Sequence, residues 1–160
     1  MSDFQIRAIS ATRTRPLRAS VLRPHQQAHT LIYEGDDDAD TLHAGAFIDG
    51  ELCGIATLVH CSLADPAGPG DWLLRGMATL PQVRGQGVGK ALLDYVIRYA
   101  RDRRAAAIWC NARENALAFY QAAGFEILSE AFEVPAIGPH RVMRLSLEAS
   151  ATADAASQPV

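Results

Sequence analysis

The stretch Val83-Arg84-Gly85-Gln86-Gly87-Val88-Gly89-Lys90 constrains this chain more than any other. Its three glycines stand at alternate positions between a strand predicted over 72–80 and the most regular helix pattern in the sequence. In that helix Leu92, Leu93, Val96, Ile97 and Ala100 line one face, and Lys90, Asp94, Arg98 and Arg101 lie off it. Glycine lets successive backbone N–H groups converge on one concavity, and a helix start adds the positive end of its dipole. Such a loop is an anion site, most naturally for a pyrophosphate. Arg84 and Lys90 place mobile cations at its two ends. A Walker A loop requires Gly where Arg84 stands and Ser or Thr where Ala91 stands. A dinucleotide GxGxxG starting at Gly85 requires Gly at Lys90. Neither pattern fits, which leaves a plain structural turn or a different anion cradle.

With 160 residues, 49% hydrophobic and 21% charged, the chain is expected to form one domain over 1–148. The segment 149–160, small and polar without periodicity, is expected to be a disordered tail. A net charge of -3 argues against a general nucleic-acid binder. No apolar run approaches the roughly 20 residues of a membrane span, and the N-terminus lacks a signal-peptide pattern, so a cytoplasmic protein is expected. Cys53, Cys61 and Cys110 are odd in number and show no CxxC spacing, so neither a disulfide framework nor a zinc ribbon is indicated. A metal site from His43, Cys53, His60 and Cys61 is disfavoured, since adjacent strand residues face opposite sides. No metal is expected.

The remaining pattern reads β-α-β-β-β-α-β-α-β-β. Strands are predicted over 4–9, 43–48, 52–59, 72–80, 107–110, 125–132 and 141–147. Asp49-Gly50 forms a two-residue hairpin turn, and Gly76 interrupts its strand as a bulge. Leu17, Val21 and Leu22, among arginines, predict a short helix ending before Pro24. A second lies over 115–123, closed by Gly124. Asp94 and Arg98 are spaced as an i,i+4 ion pair. The fold class is α+β: a single domain with a central mixed, mostly antiparallel sheet flanked by helices.

Two segments then carry a resemblance. The run Arg75-Gly76-Met77-Ala78-Thr79-Leu80-Pro81-Gln82-Val83-Arg84-Gly85-Gln86-Gly87-Val88-Gly89-Lys90 resembles the acyl-CoA-binding signature of the GCN5-related N-acetyltransferases (GNAT). Ala116-Leu117-Ala118-Phe119-Tyr120-Gln121-Ala122-Ala123-Gly124-Phe125 is similar to that family's second signature, A-x-x-(F/Y)-Y-x-x-x-G-F. The resemblance implies an acetyl-CoA-dependent transferase acting on a primary amine of a small molecule or peptide, without nucleic acid or membrane, and compatible with a homodimer. It also implies that Met77, Ala78 and Thr79 pair with the pantetheine arm. Arg84, Gly85, Gln86, Gly87, Val88, Gly89 and Lys90 would hold the pyrophosphate, with Gly87 and Gly89 least tolerant of a side chain. A non-catalytic acyl-CoA-binding module is the alternative.

By the same resemblance Tyr120 is the acid that protonates the departing thiolate; its other reading is a packing aromatic beside Phe119. A phenol pKa of about 10 against a thiol pKa of about 8.5 makes that transfer uphill by about 2 kcal/mol. The general base has no single candidate. Arg75 stands close to where family members often place a carboxylate, Asp71 lies too far out, and Glu133, His140 or a water chain remain. The family's frequent pantetheine-binding Asn corresponds to Arg113, with Asn111 two residues earlier, so either can bond the cofactor. The acidic run from Asp36 to Asp40 either attracts a cationic amine or is simply solvated.

Overall fold

The computed structural model describes residues 3–60 and 70–147; Cys61, the loop before Gly70 and the segment 149–160 lie outside the described residues. Eight strands are described: β1 (Phe4–Ala8), β2 (Leu42–Ile48), β3 (Glu51–His60), β4 (Asp71–Thr79), β5 (Ala107–Arg113), β6 (Glu126–Ile127), β7 (Phe132–Val134) and β8 (Gly138–Ser146). They form one sheet in the order β1-β2-β3-β4-β5-β8-β6, with β7 also pairing β8. The β4–β5 ladder is parallel and the β1–β2, β2–β3, β5–β8, β6–β8 and β7–β8 ladders are antiparallel. Three α-helices accompany them: α1 (Ala11–Leu17), α2 (Val88–Asp102) and α3 (Leu117–Ala122). The mixed, mostly antiparallel α+β architecture expected from the sequence is the one observed. The chain packs as two compact units, Met1–His60 with Leu74–Tyr99, and Cys61–Leu73 with Ala100–Val160.

In the first unit, Ile48 pairs with Glu51 across Asp49 (φ 51°) and Gly50 (φ 80°). Two successive positive φ angles are what a tight two-residue hairpin requires, so the Asp-Gly prediction holds. Leu17, Ile55 and Ala78 form a core patch, joined by Ile9, Val21, Leu22, Leu52 and Leu80. Helix α2 packs on Gly54, where an added Cβ would lie 2.9 Å from Leu92 Cδ1 and 3.3 Å from Val88 Cγ1. Its predicted apolar face is buried at Leu92, Leu93 and Val96. The helix predicted near Leu17–Leu22 is α1 followed by a π turn, Arg18–Leu22, closed by the Arg23 N–H on the Arg18 carbonyl at 2.9 Å. The wider turn sets Arg18 inward, where it is 0% exposed.

In the second unit, β5 and β8 pair from Ala107↔Ser146 to Arg113↔His140. Ile108, Cys110, Ala112 and Met143 are buried there. Asp71 opens β4 with a nearly enclosed carboxylate, bonded by Arg144 Nε at 3.2 Å and Nη2 at 3.4 Å. The single strand expected over 125–132 is instead two short ones, β6 and β7. Between them Ser129 uses its hydroxyl to accept the Val142 N–H at 2.8 Å, which stands in for a ladder bond.

Candidate active site

The parallel β4–β5 ladder registers over Asp71↔Ala107, Trp72↔Ile108 and Leu73↔Trp109 only, so Met77, Ala78 and Thr79 lie beyond it. Gly76, one residue before Met77, has φ +61°, a left-handed conformation that bends the strand where the sequence predicts a bulge. Met77 and Thr79 are half-buried. Ala78 turns its methyl into the core beside Leu17 and Ile55, which leaves its backbone as the group that can bind a ligand.

The glycine loop follows a 3-10 turn, Pro81–Val83. Gly85 and Gly87 have φ +83° and +86°, and a Cβ on either would point into open space. Gly89 belongs to α2 and is not among the positive-φ glycines, so the strained positions are Gly85 and Gly87 rather than Gly87 and Gly89. No acidic residue occupies the first turn of α2, so nothing there offsets the positive end of the dipole. Arg84 donates from Nη2 to the Thr79 carbonyl at 3.2 Å, and Gln86 from Nε2 to the Gln82 carbonyl at 3.3 Å. Lys90 pairs with Asp94 at 3.0 Å, exposed on both sides. The i,i+4 partner of Asp94 is therefore Lys90, not the expected Arg98.

In the second unit Tyr120 is set by the end of α3. The Phe125 N–H donates to the Tyr120 carbonyl at 3.1 Å and the Gly124 N–H to the Gln121 carbonyl at 3.0 Å, with Gly124 at φ +102°. These are the two bonds of a Schellman cap. They explain physically why Gly and Phe follow the tyrosine at that spacing. The Tyr120 ring meets Phe125 edge-on at 5.4 Å and Phe119 at 5.1 Å. Tyr120 is 8% exposed, and burial, with a smaller push from Cys110, raises its phenol above the ordinary value. Burial alone pushes the Cys110 thiol up to about 12.

Alternation along β5 and β8 puts Asn111, Arg113 and His140 on one face of the pair. Cys110 and Leu145 are on the other, where Gly124 at the end of α3 approaches Leu145. Asn111 is exposed and Arg113 half-buried. His140 is 6% exposed, and its Nδ1 lies 2.9 Å from the Gly138 carbonyl. A carbonyl only accepts, so Nδ1 is the donor of this bond. Glu133 is exposed on β7. Asp71 is committed to Arg144.

The acidic run separates into distinct roles. Asp36 is buried against Arg18, whereas Asp40 is exposed beside His60 at 3.2 Å. Against the burial that would raise it, bonds from Arg18 and the Tyr33 N–H, with the Arg18 and His43 charges, hold the Asp36 carboxyl below its ordinary 3.8. The sequence does not single out Arg18, and it marks Asp36 only as one of the acidic run, because each sits among similar charges. Both His43 ring nitrogens are engaged, Nδ1 with Thr57 Oγ1 at 2.9 Å and Nε2 with the Asp36 carbonyl at 2.8 Å. No described helix is long and apolar enough to cross a membrane.

The acetyltransferase (GNAT) family profile matches residues 7–125. The chain is 34% identical over 147 residues to the uncharacterized N-acetyltransferase YitI of Bacillus subtilis, covering 92% of this chain and 99% of YitI. Among solved structures, Escherichia coli ElaA superposes with a TM-score of 0.72 at 19% identity, covering 91% of this chain and 100% of ElaA. An aminoglycoside 6'-N-acetyltransferase complexed with coenzyme A gives 0.69 at 14% identity, over 89% of this chain and 96% of that one. Those two likenesses speak for the fold, and the profile and YitI for the family. By that profile match and that identity, the chain belongs to the GNAT family and is an N-acetyltransferase.

Proposed function

We propose that the chain transfers the acetyl group of acetyl-CoA to a primary amine of a small molecule or peptide. The observation that carries the cofactor assignment is the pair of left-handed glycines, Gly85 and Gly87, at the start of a helix with no acidic first turn. Added side chains there would enter open space, the kind of cradle a pyrophosphate fills. Backbone groups of Gly85–Lys90 bind the pyrophosphate. Met77, Ala78 and Thr79 offer strand-edge groups to the pantetheine arm, Arg84 leaving the Thr79 carbonyl as the arm docks. Asn111 is favoured over Arg113 for a further amide bond, since its side chain is exposed.

An alkyl amine near pKa 10.4 is neutral about once in a few thousand molecules at pH 7, so it needs a base. We assign that role to His140, whose Nδ1–H is held by the Gly138 carbonyl, which leaves Nε2 as the ring atom to take a proton. It takes the amine proton as the C–N bond forms, and the C–S bond then breaks with the electron pair leaving on sulfur. Tyr120 gives its proton to that sulfur. Burial makes the phenol a weaker acid, but a thiolate desolvated beside it is raised by the same cause, so the difference between the two decides the cost.

Thiol release from acetyl-CoA with a panel of amines tests this reading. Wild type is expected to turn over at least one primary amine, and Tyr120→Phe and His140→Ala to lose at least tenfold in kcat while still binding CoA. Full turnover in both variants would remove the assigned acid and base. Gly87→Trp is expected to abolish CoA binding, and normal binding in that variant would overturn the cradle.

A further inference from the structure

Arg18 takes no part in the reaction above, yet it is 0% exposed and built into a dense network. Its Nη1 donates to the Leu31 carbonyl at 2.9 Å and to Asp36 Oδ2 at 2.6 Å. Its Nη2 donates to Asp36 Oδ1 at 3.0 Å and to Thr57 Oγ1 at 3.0 Å. The fifth donor, Nε, is buried without a partner among the described residues. These bonds fix the short segment that carries Tyr33. Asp36 also accepts the Tyr33 N–H at 2.9 Å, and its own N–H returns to the Tyr33 carbonyl at 3.0 Å.

The Tyr33 ring is held by two guanidinium groups. Arg18 lies 4.0 Å from the ring centroid and Arg75 lies 4.4 Å from it, both within cation–π range. A ring fixed this way presents an edge, and the edge faces Gly76. A Cβ built on Gly76 would sit 3.4 Å from Tyr33 Cε2 and 3.5 Å from Arg18 Nε. Tyr33 therefore walls the bend of β4 immediately before Met77.

We infer that Tyr33, clamped by Arg18 and Arg75 against Gly76, is the specificity-determining residue for the acyl group, admitting acetyl and resisting longer chains. The inference rests on the proposal that Met77–Thr79 pair with the pantetheine arm and Gly85–Lys90 with the pyrophosphate, because an arm running back along β4 from that loop brings its thioester end toward Gly76. An acetyl group ends at a methyl. Each further methylene runs toward a ring that cannot turn without breaking two cation–π contacts. One methylene in a shaped apolar site is worth about 10–200-fold in discrimination. Arg18 and Asp36 are positioning residues in this arrangement, acting only through the ring.

Acetyl-, propionyl-, butyryl- and hexanoyl-CoA are compared as donors to one amine in wild type, Tyr33→Phe, Tyr33→Ala and Tyr33→Trp, with CoA affinity measured calorimetrically. Wild type and Tyr33→Phe should share one steep preference for acetyl. In Tyr33→Ala the butyryl-to-acetyl ratio of kcat/KM should rise at least tenfold at unchanged CoA affinity. In Tyr33→Trp the propionyl-to-acetyl ratio should fall. Ratios within twofold of wild type in either of the last two variants would overturn the assignment to Tyr33, while acetyl transfer itself would stand. Failure of wild type to bind CoA would instead overturn the proposed function.

Discussion

Replacing Asp36 by alanine leaves the Arg18 guanidinium buried without its counter-charge. The carboxylate accepts bonds from Arg18 Nη1 at 2.6 Å, Arg18 Nη2 at 3.0 Å and the Tyr33 N–H at 2.9 Å, and both charged side chains are essentially inaccessible. Breaking one side of such a pair costs about 3–5 kcal/mol, because the surviving charge keeps its desolvation penalty and loses its partner. For a chain of this size 1 kcal/mol corresponds to about 2–4 °C in Tm, so the variant should melt roughly 6–20 °C lower. Urea unfolding at pH 7, with the slope checked against wild type, measures the loss directly. Arg18→Met with Asp36→Leu removes both charges, and that double variant should recover at least half of the loss. A single variant that loses under about 1 kcal/mol, or a double variant below either single, would refute the account of a mutually dependent buried pair. The pH dependence carries a definite sign. Because the folded-state pKa of Asp36 is lowered, its contribution is complete above 3.8 and is lost as pH falls below that value toward the folded pKa. Wild type should therefore lose stability more steeply below pH 3.8 than Asp36→Ala.

Tyr120, whose phenol is raised by burial and by Cys110, should remain the protonated form across the working range, so the pH profile of kcat should show no loss from this group below about pH 10. A basic limb present in wild type near pH 8 and absent in Tyr120→Phe would contradict this. Gly87→Ala, at φ +86° with open space around the added Cβ, should cost roughly 1–2 kcal/mol by backbone strain alone and weaken CoA binding, as chemical denaturation and calorimetry would read. Cys53 and Cys110, both buried with raised pKa values, should resist an aromatic disulfide reagent at pH 7.5 until the protein is unfolded. Labelling of either in the native protein within minutes, located by peptide mass, would refute their inertness.

Legibility in the sequence followed how local the physics was. The Asp49-Gly50 hairpin, the face of α2 and the Gly124 cap are each written within a few residues, and each folds as its pattern reads. The glycine loop was legible as a turn into α2 for the same reason, although the burden of positive φ falls on Gly85 and Gly87. What escaped reading depends on partners far along the chain. Asp36 looks like its solvated neighbours until Arg18, eighteen residues earlier, is brought onto it. The segment over 125–132 has apolar residues at both ends that read as one strand, but a hydroxyl from Ser129 replaces a ladder bond and divides it. Lys90 and Arg98 are equally spaced from Asp94 in opposite directions, and the orientation preference for an acid N-terminal to its base points to Arg98, yet Lys90 makes the pair.

The π turn at Arg18–Leu22 makes chain length itself a specified quantity. One residue of helix is about 100° of arc, so the turn's fifth residue lets two demands be met at once: Leu22 packs on the core and Arg18 points at Asp36. Shortening the stretch by one residue would satisfy one of these demands and forfeit the other, whatever amino acids remained. Related chains that align with a gap between Leu17 and Arg23 should therefore also lack an arginine–aspartate pair at this place, and with it the clamp that holds an aromatic ring against the bend of β4.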